Sequence, residues 1–126
     1  MDAFLFGIAV NSAGLKDMSF EQRVATIADQ SAGAVICNVR LDGDPEYQRI
    51  AVIRLPSGGI GIMALGKDGL SVGSCTANGA FSSFIEPLAE WHRLPLRDQA
   101  ATDIRGHAII FAAALRNAGY LFHHPH

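Results

Sequence analysis

A cysteine in a short, mostly small and polar stretch could act as a nucleophile in this chain of 126 residues. Cys75 lies in the segment GLSVGSCTANGAFSSF, and two histidines, His92 and His107, follow it in the sequence. A thiol attacks a carbonyl carbon efficiently when a nearby imidazole takes its proton or when a helix N-terminus stabilises the thiolate. Cys75 with either histidine as base would suit a cysteine-dependent hydrolase or deamidase.

The order of these residues resembles that of a known class of enzymes. Gly73-Ser74-Cys75 followed by a histidine is similar to the pattern of the glutamine deamidases that modify chemoreceptors. The resemblance implies a nucleophilic Cys75 and a histidine base on a strand, whereas His92 falls in a predicted helix. A second interpretation stays open, in which Cys75 is a small, partly buried thiol at the end of a strand.

The position of the next helix bears on this choice. Ser83 and Glu86 have the spacing of a capping box, which predicts a helix that begins at Ser83 with Pro87 in its first turn. Cys75 lies about eight residues earlier, beyond the reach of the helix dipole. We therefore expect no thiolate stabilisation from this helix.

Three polar side chains on the predicted strands could recognise an anion. Arg40 and Arg54, with Asn38, are expected to share the face of the sheet that is turned away from the core. Arginines scattered over a solvated sheet face are the alternative.

Metal and nucleotide motifs are weak or missing in the sequence. The C-terminal HHPH (residues 123–126) could bind zinc, nickel or copper weakly, but it is also typical of a flexible tail. The glycine-rich PSGGIG (56–61) and ANGA (77–80) fit neither the Walker A nor the dinucleotide pattern. We predict no cofactor and no metal site. A pocket for a small apolar ligand near Phe81, Phe84 and Trp91 is a further possibility, against the simpler one that they are core residues.

Composition restricts the class of protein. The net charge is −2, and no two lysines or arginines are adjacent, which argues against nucleic acid and polybasic membrane docking. Only 17% of the residues are charged, against about 25% in typical domains. With two cysteines, no signal-peptide pattern and no long apolar run, the sequence predicts a cytoplasmic protein. Its length predicts one domain (1–120), followed by a flexible tail (121–126).

The pattern of apolar residues predicts an α+β fold. Residues 3–10 are predicted as a first strand, and Ser19 with Gln22 forms a capping box for a helix that ends at Gly33. Four strands follow, joined by tight turns into an antiparallel meander: residues 34–41, 47–55, 60–65 and 70–75. Helix, meander and helices in this order resemble small profilin-like and roadblock-like modules in topology.

Two C-terminal helices are expected to pack on one face of the sheet. The second is predicted to run unbroken from Asp98 to Asn117, with Gly119 after it. Its apolar residues extend over most of its circumference, which predicts that a second side of the helix also packs against another part of the protein or another subunit. We therefore expect a small, non-enzymatic cytoplasmic binding or adaptor protein that forms a homodimer through its C-terminal helix. The alternative is the enzyme based on Cys75, with His92 or His107 as base.

Overall fold

A single antiparallel sheet forms the centre of the molecule. The computed structural model describes residues 6, 9–10, 13–15, 17–77 and 79–119. Its four strands are β1 (Ala34–Arg40), β2 (Tyr47–Arg54), β3 (Ile60–Gly66) and β4 (Val72–Ala77). They pair in the order β1-β2-β3-β4, each antiparallel to the next. The predicted α+β class and the predicted meander are therefore confirmed.

Glycines in left-handed conformations make the turns between the strands. Gly43, Gly58 and Gly69 have φ angles of 98°, 89° and 75°, a region that side chains other than glycine rarely occupy. In the last turn, Asp68 also accepts hydrogen bonds from the Leu70 and Ser71 amides. These contacts fix the β3–β4 hairpin that the Asp-Gly sequence predicts.

Helix α1 (Phe20–Gln30) begins with the predicted capping box. The Gln22 amide donates to Ser19 Oγ, and the Gln22 side chain accepts from the Ser19 amide. The end of the helix differs from the prediction, because Ala32 and not Gly33 takes the left-handed conformation, with a φ angle of 55°. Gly33 is needed for another reason: a Cβ atom there would lie 2.7 Å from the Arg54 carbonyl oxygen.

The C-terminal part of the chain forms three helices instead of the two predicted: α2 (Ser82–His92), α3 (Leu96–Ala101) and α4 (Arg105–Asn117). The predicted unbroken helix is wrong because Thr102 is extended and Asp103 accepts a hydrogen bond from the Arg105 amide at the start of α4. The α4 helix ends at Asn117, and Gly119 follows in the left-handed conformation, as predicted.

The start of α2 also corrects a prediction. A 3₁₀ turn (Gly79–Phe81) leads directly into α2, and no side chain caps the helix. Ser83 therefore lies inside the helix, and Pro87 lies in its second turn. The capping-box spacing does not decide where this helix begins, because the preceding turn already has helical geometry.

Apolar side chains cover both faces of the sheet. On one face, which we call the N-terminal face, Ala51, Ile53 and Met63 pack with residues of α1 and with Phe6. On the other, the C-terminal face, Val39, Ile50 and Ile62 pack with residues of α2 and α4. The C-terminal helices therefore do pack on one sheet face, as predicted.

The predicted N-terminal strand is not supported by the described residues in that stretch. Phe6, Ala9 and Val10 are helical, and residues 3–5, 7 and 8 lie outside the described part. The three residues are spaced at intervals of three and one, as on one side of a helix. Periodicity cannot separate a short apolar strand from a buried helix, which explains the error.

Candidate functional site

Cys75 lies on β4, the last strand of the sheet. It is directly opposite Ile62 of β3 and packs against the core of the C-terminal face. Burial raises the pKa of its thiol to about 12, well above the ordinary value of about 8.5. The thiol therefore stays protonated at neutral pH, where a nucleophile needs the thiolate.

Neither candidate base forms a hydrogen bond with Cys75 in the described structure. His107 lies on α4, with its Nε2 atom 3.2 Å from the Phe84 carbonyl oxygen. His92 is the last residue of α2 and is exposed. Cys75, His92 and His107 lie on three different elements, and their role as an active site stays a prediction.

Cys37 shows the same effect of burial on its thiol. It is completely buried on the C-terminal face, and burial raises the pKa of its thiol to about 12. Cys37 is inaccessible and Cys75 is half-buried, and no nearby positive charge among the described residues lowers the pKa of either thiol, as it would for a reactive cysteine.

The structure keeps Asn38 and Arg40 of the predicted anion patch together and separates Arg54 from them. Arg40 lies directly opposite Arg49 at one end of the β1–β2 pair, and Arg54 lies opposite Ala34 at the other end. The register shifts between Val35 and Cys37, which reverses the alternation of side chains along β1. Arg40 and Arg54 consequently lie on opposite faces, and regular alternation could not have predicted this.

A groove of about 370 Å³ surrounds the C-terminal end of β1 and contains Asn38 and Arg40. Polar side chains and a few apolar ones line it: Asn38, Val39, Arg40, Arg49, Trp91, Gln99, Ala100, Thr102, Ile104 and Arg105. We call it the arginine groove. Three of its described lining residues are arginines and none is acidic, so the lining favours a negatively charged ligand.

The three arginines come from separate elements and share two nearby carboxylates. Asp42 lies 3.3 Å from Arg40 Nη2 and 2.8 Å from Arg105 Nη1. The Nε atom of Arg49 lies 3.5 Å from Glu21 and donates to Asn38 Oδ1 at 3.0 Å. The hydrogen bond from Arg105 is the main reason that the pKa of Asp42 lies below its ordinary value. Asp42 is therefore placed to remain ionised as a counter-charge beside the groove.

Trp91 is held in place at the wall of the arginine groove. Its indole N–H donates to the Gln99 carbonyl oxygen at 3.2 Å, and the Gln99 side chain donates to the carbonyls of His92 and Leu94. These bonds connect α2 to α3 across the break at Pro95. Of the predicted apolar-pocket residues, Trp91 therefore lines a groove, whereas Phe81 is buried in the core and Phe84 stacks on Phe111.

Sequence reasoning missed most of this groove. The predicted site omitted Arg49, although its place on the neighbouring strand signals that it could lie beside Arg40. Arg105 could not be placed, because its position depends on the break in the helix at residues 102–104.

Arg54 lines a different groove, of about 510 Å³, between the sheet and α2. The wall carries opposite charges, from Arg54 and Arg93 and from Glu86 and Glu90. Because the two positive and two negative side chains balance, the larger groove favours neither a positively nor a negatively charged ligand.

One side of α4 is apolar but uncovered in the single chain. Ala108, Phe111, Ala112 and Leu115 face the core, whereas Ile110 is 57% exposed. Gly106 is exposed beside it, and Ala113 is only partly buried. An exposed isoleucine flanked by small residues can be buried against another surface at close range.

The described residues contain no group of three or more histidines, cysteines or acidic residues arranged to hold a metal ion. The HHPH segment lies outside those residues. In the same part of the chain, no helix has both the length and the apolar character needed to cross a membrane.

Comparison with known proteins adds no relative: no protein-family model, no curated protein and no solved structure matches the chain.

Proposed function

We propose that this chain is a small, non-enzymatic binding or adaptor protein of the cytoplasm that forms a homodimer through α4. The observation that carries the proposal is Ile110, a large apolar side chain that is 57% exposed on a helix whose other side packs into the core. Contact with a second copy would remove this side chain from water, which favours association.

The charges on α4 support this proposal. Arg105 donates to Asp42, and Arg116 donates two hydrogen bonds to Asp44. Both arginines are thus held by the loop between β1 and β2. The sequence from Gly106 to Leu115 contains no acidic residue, lysine or arginine, so the exposed side of α4 has no such charge to desolvate on association.

The geometry of α4 suits a symmetric contact. Ile110 precedes Phe111, the middle residue of α4 (Arg105–Asn117). A two-fold axis near the centre of a helix brings equivalent residues of two antiparallel copies together. Gly106 and Ala113, one turn away on each side, have little or no side chain, so the two helices can approach closely.

The state of the cysteines supports a binding role over the enzyme based on Cys75. Burial raises the pKa of both thiols to about 12. No second observation favours the hydrolase or deamidase.

Ile110→Glu tests the dimer, because a carboxylate at the centre of an apolar contact opposes association. We expect sedimentation equilibrium at micromolar concentration to show a dimer for the wild type and a monomer for this variant. Leu70→Glu is the matched control, since Leu70 is 79% exposed in the β3–β4 turn. It should remain dimeric. A monomeric wild type, or equal effects of the two substitutions, would overturn the proposal.

A further inference from the structure

We infer that the arginine groove binds an organic anion, in which a phosphate or carboxylate group is attached to a small apolar body. This ligand class deepens the proposed binding function and rests on it. The inference depends on the pairing of Arg40 with Arg49, on the charges around them and on Trp91.

Arg40 and Arg49 are an unfavourable pair on electrostatic grounds. They lie directly opposite each other on neighbouring strands, where like charges destabilise the sheet. Folded proteins keep such local conflicts mainly at functional sites. A bound anion between the two guanidinium groups would remove the repulsion.

The nearby carboxylates only partly compensate the three arginines. Asp42 is shared between Arg40 and Arg105, and Glu21 is 3.5 Å from Arg49. Within these ion pairs, three arginines share two carboxylates; Asp103, which accepts a hydrogen bond from the Arg105 amide, forms no ion pair with them in the described part of the chain. Arg40 and Arg105 are both more than half exposed, so their remaining N–H groups are accessible to a ligand from solvent.

The groove is preorganised at Arg49 and Trp91. Arg49 is mostly buried, and its side chain is oriented by Asn38 and Glu21. Trp91 is fixed by its hydrogen bond to Gln99. Groups that are already ordered lose less conformational entropy when a ligand binds.

The shape and lining of the groove indicate the rest of the ligand. Trp91, Ile104 and Val39 provide an apolar wall, and Thr102 and Gln99 add polar groups. A volume of about 370 Å³ falls in the range of small-molecule sites. Arginine binds phosphate and carboxylate groups in a bidentate manner, and a flat apolar body would lie against the indole.

Phenyl phosphate and benzoate are suitable probes, and inorganic phosphate tests the contribution of the apolar body. We expect isothermal titration calorimetry at low salt to show one saturable site per chain for phenyl phosphate, benzoate or both. Whichever of phenyl phosphate and benzoate binds with the higher affinity identifies the anionic group that the groove prefers. Inorganic phosphate should bind more weakly than phenyl phosphate. Equal binding of these two phosphates, or the absence of saturation with every probe, would overturn the inference.

Arg40→Gln and Arg54→Gln form a matched pair of variants. Both remove one exposed positive charge, but only Arg40 lines the arginine groove. We expect Arg40→Gln to weaken binding about tenfold, the typical effect of losing a charge-assisted hydrogen bond. Arg54→Gln should bind as the wild type does. Equal weakening in both variants would show unspecific attraction and contradict the assigned site.

The same samples separate this inference from the proposed dimer. A monomeric wild type that binds phenyl phosphate would contradict the dimer and support the anion site. A dimer that binds none of the probes would support the dimer and contradict the anion site.

Discussion

Asp44, in the loop between β1 and β2, is joined to Arg116 near the end of α4 by two hydrogen bonds of 3.0 and 3.3 Å. The Asp44 side chain is completely buried, and it also accepts from the Glu46 and Tyr47 amides. This carboxylate thus holds the last helix against the loop after β1, and so connects the proposed dimer helix to the sheet.

Replacing Asp44 should therefore destabilise the whole domain. We expect Asp44→Ala to lower the free energy of unfolding by about 3–5 kcal/mol, because it leaves Arg116 without its partner in a mostly buried site. Urea unfolding followed by circular dichroism measures the loss. Asp42→Ala, at an exposed ion pair, is the control and should cost much less. Similar losses for both variants would contradict the central role of Asp44.

The same carboxylate should make stability depend on pH in the acid range. Burial alone would raise the pKa of Asp44, but the hydrogen bonds from Arg116, Tyr47 and Glu46 outweigh it and hold the pKa below its ordinary value. The contribution is complete above the unfolded-state pKa of about 3.9 and is lost as the pH falls through the lower folded-state pKa. We expect Asp44→Asn to reduce the loss of stability below about pH 4. If urea unfolding shows that Asp44→Asn loses as much stability at low pH as the wild type does, the prediction is contradicted.

Both cysteines should react slowly in the folded protein. With each thiol pKa raised to about 12, we expect alkylation by iodoacetamide at pH 7 to be at least about a hundredfold slower than for free cysteine. Mass spectrometry of the alkylated peptides reports each site separately, and the urea-unfolded chain is the control. Rapid modification of Cys75 in the folded chain would instead favour the enzyme with His92 or His107 as base.

The end of α1 offers a stabilising substitution. Ala32 has a φ angle of 55°, where a Cβ atom costs about 1–2 kcal/mol. We expect Ala32→Gly to raise the unfolding free energy by up to about 1 kcal/mol, since glycine is also more flexible in the unfolded chain. The control is Ala25→Gly, an exposed position within α1, which should lower stability by about 1 kcal/mol. A loss of stability in Ala32→Gly would contradict the strain expected from the left-handed conformation of Ala32.

Local signals in the sequence were sufficient for much of this fold. The Ser19–Gln22 capping box and the Asp-Gly turn at residues 68–69 involve neighbouring residues only, and both are found as predicted. The structure departs from the prediction where an element's conformation depends on packing between residues distant in the sequence or on a local irregularity of the backbone. Phe6 packs over Gly61, where a Cβ atom would collide with its ring, and no local pattern reveals such a contact.

The candidate sites were harder to predict than the fold. The shift of register near Ile36 places Arg40 and Arg54 on opposite faces, and the break at Thr102 brings Arg105 to Asp42. Each of these backbone irregularities involves one or two residues, but each determines which charged side chains lie close together. The wide apolar surface of α4 was visible in the sequence, whereas the exposure of Ile110 in particular required the packed structure.

The most direct test of the proposed dimer is sedimentation velocity of the wild-type chain over a range of concentrations. If α4 forms the contact, the sedimentation coefficient should rise with concentration to that of two chains, and Ile110→Glu should stay at the value for one chain throughout. A wild-type chain that sediments as a monomer at every concentration would contradict the account.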